Sequence, residues 1–210
     1  MQRNPTSGGL SNSEYPNLSR APHTERDGGG HIAGDRPSGG SATNTPDFSQ
    51  LPSCGDFDMR IARDGTWFYR GSPIGRKPLV KLFSTVLRRE NGEFWLVTPV
   101  ERGRILVDDA PFVAVEVDAL GAGPDRRLMF RTNVDDIVTA DEAHPIRVDH
   151  DPESGEPSPY ITVRDGLEAR ILRPVYYHLI EMGEFRELDG AEQLGVWSCG
   201  RFFPLGRIDA

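Results

Sequence analysis

Six times between residues 112 and 172 a short apolar run is followed by turn residues: 112–117, 127–132, 137–139, 146–148, 160–163 and 167–172. Runs this brief at roughly ten-residue spacing are too short for helices, and they predict an antiparallel, strongly bent sheet or partial barrel. Strand signals begin earlier. Phe57, Met59 and Ile61 alternate, Asp64-Gly65 supplies a two-residue turn, and Thr66 to Arg70 return, so a hairpin is expected there. Asn91-Gly92 then turns the chain into a second hairpin, 94–97 with 103–107, folded around 99–102.

Two segments break the period of two. Leu79, Leu82, Phe83 and Val86 fall at helical spacing after Pro78, which is harmless in a first turn, so 76–87 is predicted as an amphipathic helix. Val175, Leu179 and Met182 mark a second helix over 173–183, with Gly183 as its stop and His178 beside the stripe. The expected class is therefore α+β. Arg63-Asp64-Gly65 and Arg164-Asp165-Gly166 stand 101 positions apart. Each precedes a basic-Pro helix start, Lys77-Pro78 or Arg173-Pro174, and then a strand near Trp95 or Trp197, an order that predicts two related units.

Composition divides the chain. Residues 1–46 hold 8 Gly, 5 Pro and 10 Ser or Thr against 8 apolar residues, too few to offset the entropy of ordering. The expected organisation is a disordered tail over 1–50, a first unit over 51–110 and a second over 111–210. Four Arg balance four acidic residues before position 47, so the net charge of −8 belongs to the remainder, which lacks the basic footprint nucleic acid requires. No apolar stretch approaches the roughly 18 residues of a membrane span, and no secretory signal pattern is seen, so a cytoplasmic protein without membrane or nucleic-acid partners is expected.

Cys54 and Cys199 fit no metal spacing, and His144 and His150, near Asp141, Asp149 and Asp151, sit in loop-like context; no metal and no cofactor are expected. Phosphate-binding glycine motifs are absent, and Ser198-Cys199-Gly200-Arg201 reads as a turn rather than a backbone anion nest.

Several ordered motifs resemble the bacterial family designated domain of unknown function 1285. They are Trp67-Phe68-Tyr69-Arg70-Gly71-Ser72-Pro73-Ile74 with Arg76, Leu96-Val97-Thr98-Pro99-Val100-Glu101, and Asp109-Ala110-Pro111-Phe112. The run from Tyr160 to Arg170 and the closing run from Trp197 to Gly206 are similar to it as well. The resemblance spans about 54–206. It implies a duplicated core, a pleckstrin-homology-like second unit and a ligand-binding role in signalling, and it brings no established activity.

A cleft between two units is where ligand sites preferentially form. Val163 is expected opposite Glu168 and Ile161 opposite Arg170, which puts Glu168 and Arg170 on one face. Arg104, Arg131 and Arg164 add guanidiniums suited to an anion, and Thr132 and Asn133 add neutral hydrogen-bonding groups. The leading expectation is a non-enzymatic binding or sensing protein that takes a small anionic, nucleotide-like ligand through Arg104, Arg131, Asn133, Arg164, Glu168 and Arg170. The alternative is a protein-interaction module using apolar edges such as Phe202 and Phe203. Third stands a hydrolase using Glu101 and Asp109, next to Asp108, as general acid and base.

Overall fold

A computed structural model of the chain describes residues 52–188 and 190–207; the tail expected over 1–50 lies outside them. The first sheet comprises β1 (Ser53–Ile61), β2 (Trp67–Tyr69), β3 (Ser72–Pro73), β4 (Leu87–Glu90), β5 (Glu93–Val97) and β6 (Arg102–Val107), with α1 (Lys77–Thr85) between β3 and β4. The second comprises β7 (Phe112–Leu120), β8 (Arg127–Thr132), β9 (Ile137–Thr139), β10 (Ile146–His150), β11 (Pro157–Arg164) and β12 (Leu167–Ile171). After α2 (Arg173–Glu181), a third sheet is built from β13 (Glu184–Leu188), β14 (Ala191–Ser198) and β15 (Arg201–Arg207). Three sheets and two helices make an α+β molecule. Among the described residues no helix is long and apolar enough to cross a membrane.

The strand orders are β3-β2-β1-β6-β5-β4 and β10-β11-β12-β7-β8-β9. Each sheet is two three-stranded meanders joined where its first and last strands run parallel, β1 with β6 and β7 with β12. The second sheet curves into a half-barrel. β15 lies beside β10 at one edge, and β14 reaches the other side through Ser198, whose buried hydroxyl donates to the Ala140 carbonyl (2.6 Å) and accepts from the Leu128 amide (3.0 Å).

The two Arg-Asp-Gly hairpins are not equivalent. Asp165 (φ +43°) and Gly166 (φ +73°) both adopt the left-handed backbone of a two-residue type I′ turn. At the first hairpin only Gly65 (φ +83°) does, Ala62 accepts from the Gly65 amide, and five residues, 62–66, separate the strands. That hairpin joins the first and second strands of its sheet, whereas Asp165-Gly166 joins the fifth and sixth of the other.

A further correction concerns register. β11 carries an irregularity between Thr162 and Arg164, so Thr162 rather than Val163 opposes Glu168, and Tyr160 rather than Ile161 opposes Arg170. One extra residue in a strand shifts every pairing beyond it. α1 also departs from expectation in part. Val80 and Phe83 pack on the core, Phe83 stacks on Trp67 (6.1 Å between centroids), and Leu82 is 60% exposed. Ser84 takes the buried place instead, its hydroxyl satisfied by the Lys81 carbonyl at 2.7 Å. In α2, Val175 and Leu179 are buried as the spacing predicts, Met182 is half-buried, Tyr176 is buried beside them, and His178 faces solvent.

One contiguous apolar core runs through both six-stranded sheets, from Met59, Ile61 and Trp67 to Phe112, Phe130, Ile161 and Leu167, and on to Val196, Phe203 and Leu205.

Candidate functional site

Asp109 lies in the short link between β6 and β7, where the chain passes from one sheet to the next. Its Oδ1 accepts a 2.7 Å hydrogen bond from the Tyr160 hydroxyl on β11. Its Oδ2 lies 3.3 Å from Arg63 Nε in the β1–β2 loop and 3.5 Å from Arg170 Nε on β12. Neither contact is aligned as a hydrogen bond, and both Asp109 Oδ2 and Arg170 Nε are buried without a hydrogen-bond partner among the described residues. Buried ionic groups normally use every lone pair and proton they have, so a cluster with two orphaned atoms has unspent bonding capacity.

Arg147 on β10 builds the next layer. It clamps Glu168 with two bonds, 2.6 Å and 2.8 Å, pairs with Asp149, and lays its guanidinium over the Tyr160 ring at 4.3 Å. Arg147, Tyr160 and Arg170 are cross-strand neighbours on β10, β11 and β12, so strand pairing alone places them in a row. Burial, then the Asp109 carboxylate, push the Tyr160 hydroxyl above the usual tyrosine range. Tyr160 is thereby held protonated as a donor.

The first sheet supplies the opposite wall through Arg89 and Phe94. Arg89 stacks on Phe94 (5.5 Å) and donates to the Gly166 carbonyl at 3.2 Å. Between the walls is a polar cavity of about 130 Å³ bounded by Arg89, Phe94, Asp109, Arg147, Tyr160 and Glu168, with Ala110, Pro111 and Gly166 completing its lining. Two guanidiniums (Arg89, Arg147) and two carboxylates (Asp109, Glu168) line the cavity, with Arg63 and Arg170 behind Asp109 and Asp149 behind Arg147.

Of the six residues expected to bind ligand, Glu168 lines this cavity and Arg170 adjoins it through Asp109. The others are engaged elsewhere. Arg104 is held by Asp56 and Glu93, each at 2.7 Å, on the first sheet. Arg131 pairs with Glu116 and lies 3.8 Å from Asp135. Asn133 is a structural bracket, its Oδ1 accepting from the Val113 amide (3.1 Å) and its Nδ2 donating to the Gly65 carbonyl (3.3 Å). Arg164 bridges Asp136 (2.5 Å) and the Ser84 carbonyl (2.8 Å) and covers the Phe112 ring. Thr132 is fully buried and accepts from the Asp136 amide.

The acid–base pair proposed for hydrolysis shares no partner. Glu101 accepts from the Cys54 thiol, Asp109 from Tyr160, and Asp108 pairs with Arg60. Phe203 is core, 4% exposed, and Phe202 packs edge-on against Trp197 beneath Arg186, so neither offers a free apolar edge. Cys199-Gly200 is a turn whose amides donate to the Arg126 and Pro124 carbonyls, which leaves no anion nest. Arg63 and Tyr160 enter the sequence reading only as parts of motifs, not as site residues, and Arg89 and Arg147 do not enter it by name. For Arg147 and Tyr160 the signal was their alternation within expected strands, readable only once β10 is paired with β11.

Residues 49–110 match the family model described as domain of unknown function (DUF1285), N-terminal domain, and 111–205 match protein of unknown function (DUF1285), C-terminal domain. No curated protein matches the chain. Among solved structures, a DUF1285 family protein from Silicibacter pomeroyi DSS-3 is 52% identical, with a TM-score of 0.70, over 75% of this chain and 84% of that one. A DUF1285 family protein from Shewanella baltica OS155 is 26% identical, with a TM-score of 0.47, over 60% of this chain and 91% of that one.

Proposed function

Because the chain belongs to the DUF1285 family, whose descriptions carry no activity, its function rests on its own site, and we propose that it is a non-enzymatic protein binding a small anion at the junction of its two six-stranded sheets. The observation that carries this reading is Arg89. Its guanidinium lines the junction cavity, bonds one backbone carbonyl, and has no carboxylate partner among the described residues. An anion entering beside it also meets Arg147, whose guanidinium recognises carboxylate or phosphate through charge-assisted hydrogen bonds and would be shared with Glu168 and Asp149.

Size narrows the ligand. A cavity of about 130 Å³ is well below the roughly 300–1,000 Å³ of sites that enclose drug-sized molecules, so a carboxylate or phosphate group fits inside and a whole nucleotide does not. The shared strand order of the two sheets supports reading the chain as internally duplicated. The half-barrel followed by α2 supports a pleckstrin-homology-like second unit, and a cytoplasmic sensing role is part of the same proposal.

Thermal unfolding with a panel of small mono- and dicarboxylates and inorganic phosphate tests it. A ligand at 100 times its dissociation constant is expected to add about 2.7 kcal/mol. Arg89→Ala is expected to remove that gain while leaving the ligand-free midpoint nearly unchanged, because Arg89 makes only surface-type contacts. Absence of stabilisation by every member of the panel, or equal stabilisation of the variant, overturns the reading.

A further inference from the structure

Arg170 faces two ways. Toward the junction, its Nε is buried without a hydrogen-bond partner and stands 3.5 Å from Asp109, its only ionic contact among the described residues. The side chain is nevertheless 22% exposed, and the residue also lines a second cavity, of about 130 Å³, that shares no lining residue with the first. Pro157 and Pro159 of β11, Ile171 of β12, and Tyr176 and Tyr177 of α2 form the walls. The other charged residues at this cavity, Glu156 and Arg173, pair with each other. Arg170 is therefore the group that sets the charge of what can be held here.

An anion is what this guanidinium lacks. A planar fork of N–H donors with one misaligned carboxylate contact keeps most of its capacity for charge-assisted hydrogen bonds. α2 begins at the same wall with no side chain capping its first turn, so the positive end of the helix adds to the attraction. The walls decide the rest of the ligand. The Tyr176 hydroxyl is spent on the Leu205 carbonyl at 2.7 Å, and Tyr177 is 58% exposed, so tyrosine and proline rings offer flat apolar faces to a flat apolar body. β11 and β12 are both interior strands, which leaves no free edge for an extended peptide to pair with. A volume of about 130 Å³ suits a single aromatic ring with its substituent and is too small for a nucleotide.

We propose that the cavity between β11, β12 and the start of α2 is a second binding site, selective for a small aromatic carboxylate whose ring lies among Pro157, Pro159 and Tyr177 and whose carboxylate is held by Arg170. It does not rest on the junction reading, which Arg89 carries. The full chain, labelled with ¹⁵N, is titrated with benzoate, with benzamide, the same ring without the charge, and with acetate, the charge without the ring. Benzoate is expected to shift the Arg170 Nε–H signal and the Tyr177 backbone amide saturably. Benzamide and acetate are expected to bind about tenfold or more weakly, the first for want of a charge-assisted bond and the second for want of ring contact. Tyr177→Ala removes an exposed wall, so the variant is expected to fold and to weaken benzoate binding severalfold. Equal affinity for benzoate and benzamide, no shift at Arg170 Nε–H, or an unchanged affinity in Tyr177→Ala overturns the proposal. Arg89→Ala separates the two sites: a benzoate response lost in that variant and kept in Tyr177→Ala would place the carboxylate at the junction, overturning this site and sustaining the other.

Discussion

Tyr160 joins packing to chemistry: its ring lies under Arg147 and its hydroxyl holds Asp109. Tyr160→Phe keeps the ring and removes one hydrogen bond to a buried carboxylate, which costs about 2 kcal/mol. The sign of the pH dependence follows from its raised pKa. A tyrosine whose folded value lies above its ordinary 10.0 contributes stability that is fully present below that value and is lost as pH rises through the folded one. Urea midpoints of wild type and Tyr160→Phe are therefore expected to differ at neutral pH and to converge in the alkaline range. A gap that stays constant through alkaline pH would show that Asp109 does not hold the hydroxyl.

Among elements, β14 shows how closely the third sheet is packed. A Cβ at Gly195 would stand 2.5 Å from the Phe203 carbonyl oxygen and from the Phe202 ring, whereas one at Gly206 meets nothing within 4 Å. Gly195→Ala is expected to lower stability by more than about 2 kcal/mol and Gly206→Ala to be near neutral, as measured by denaturant midpoints. Comparable losses at both positions would contradict the packing.

β13, the neighbour of β14, is the element least legible in the sequence. β13 reads Glu-Phe-Arg-Glu-Leu and is exposed or half-exposed throughout, so no buried alternation announced it, whereas the half-barrel strands bury alternate residues and were found close to their observed bounds. Glu168 and Arg170 could be placed on one face because period two survives a register shift. Their opposite residues could not, because the irregularity at Val163 leaves no composition signal. In α1, Phe83 and Val86 pack on the core as their spacing predicts, whereas Leu82 is exposed and Val80 and Ser84 turn inward, the face that packing against Trp67 selects. Asp109 was visible only as half of an acidic pair; that it stands between Tyr160, Arg63 and Arg170 depends on contacts 46 to 61 residues away along the chain, which no local pattern encodes.

At the scale of the whole molecule, the family models divide the chain at residue 110, but the physical boundary there is apolar as well as polar. Polar clamps cross it: Asn133 to Gly65, Arg164 to Ser84, Lys77 and Lys81 to Asp135, and Arg89 to Gly166. Beneath them the core is continuous from Trp67 to Phe112 and Leu167. If the clamps alone joined the sheets, removing them would let each sheet melt by itself. A shared core instead requires both to lose their packing together. The double variant Asn133→Ala, Arg164→Ala is thus expected to lower the urea midpoint, at a cost of about 2–4 kcal/mol, while unfolding in one transition with an unchanged slope. Tryptophan fluorescence samples the first sheet through Trp67 and Trp95 and the third through Trp197, and far-ultraviolet circular dichroism samples all three. The two curves are expected to coincide. Separation of the curves in the double variant would mean that polar contacts hold the sheets together, and a ligand at the junction would then act on how the sheets associate rather than on a rigid frame.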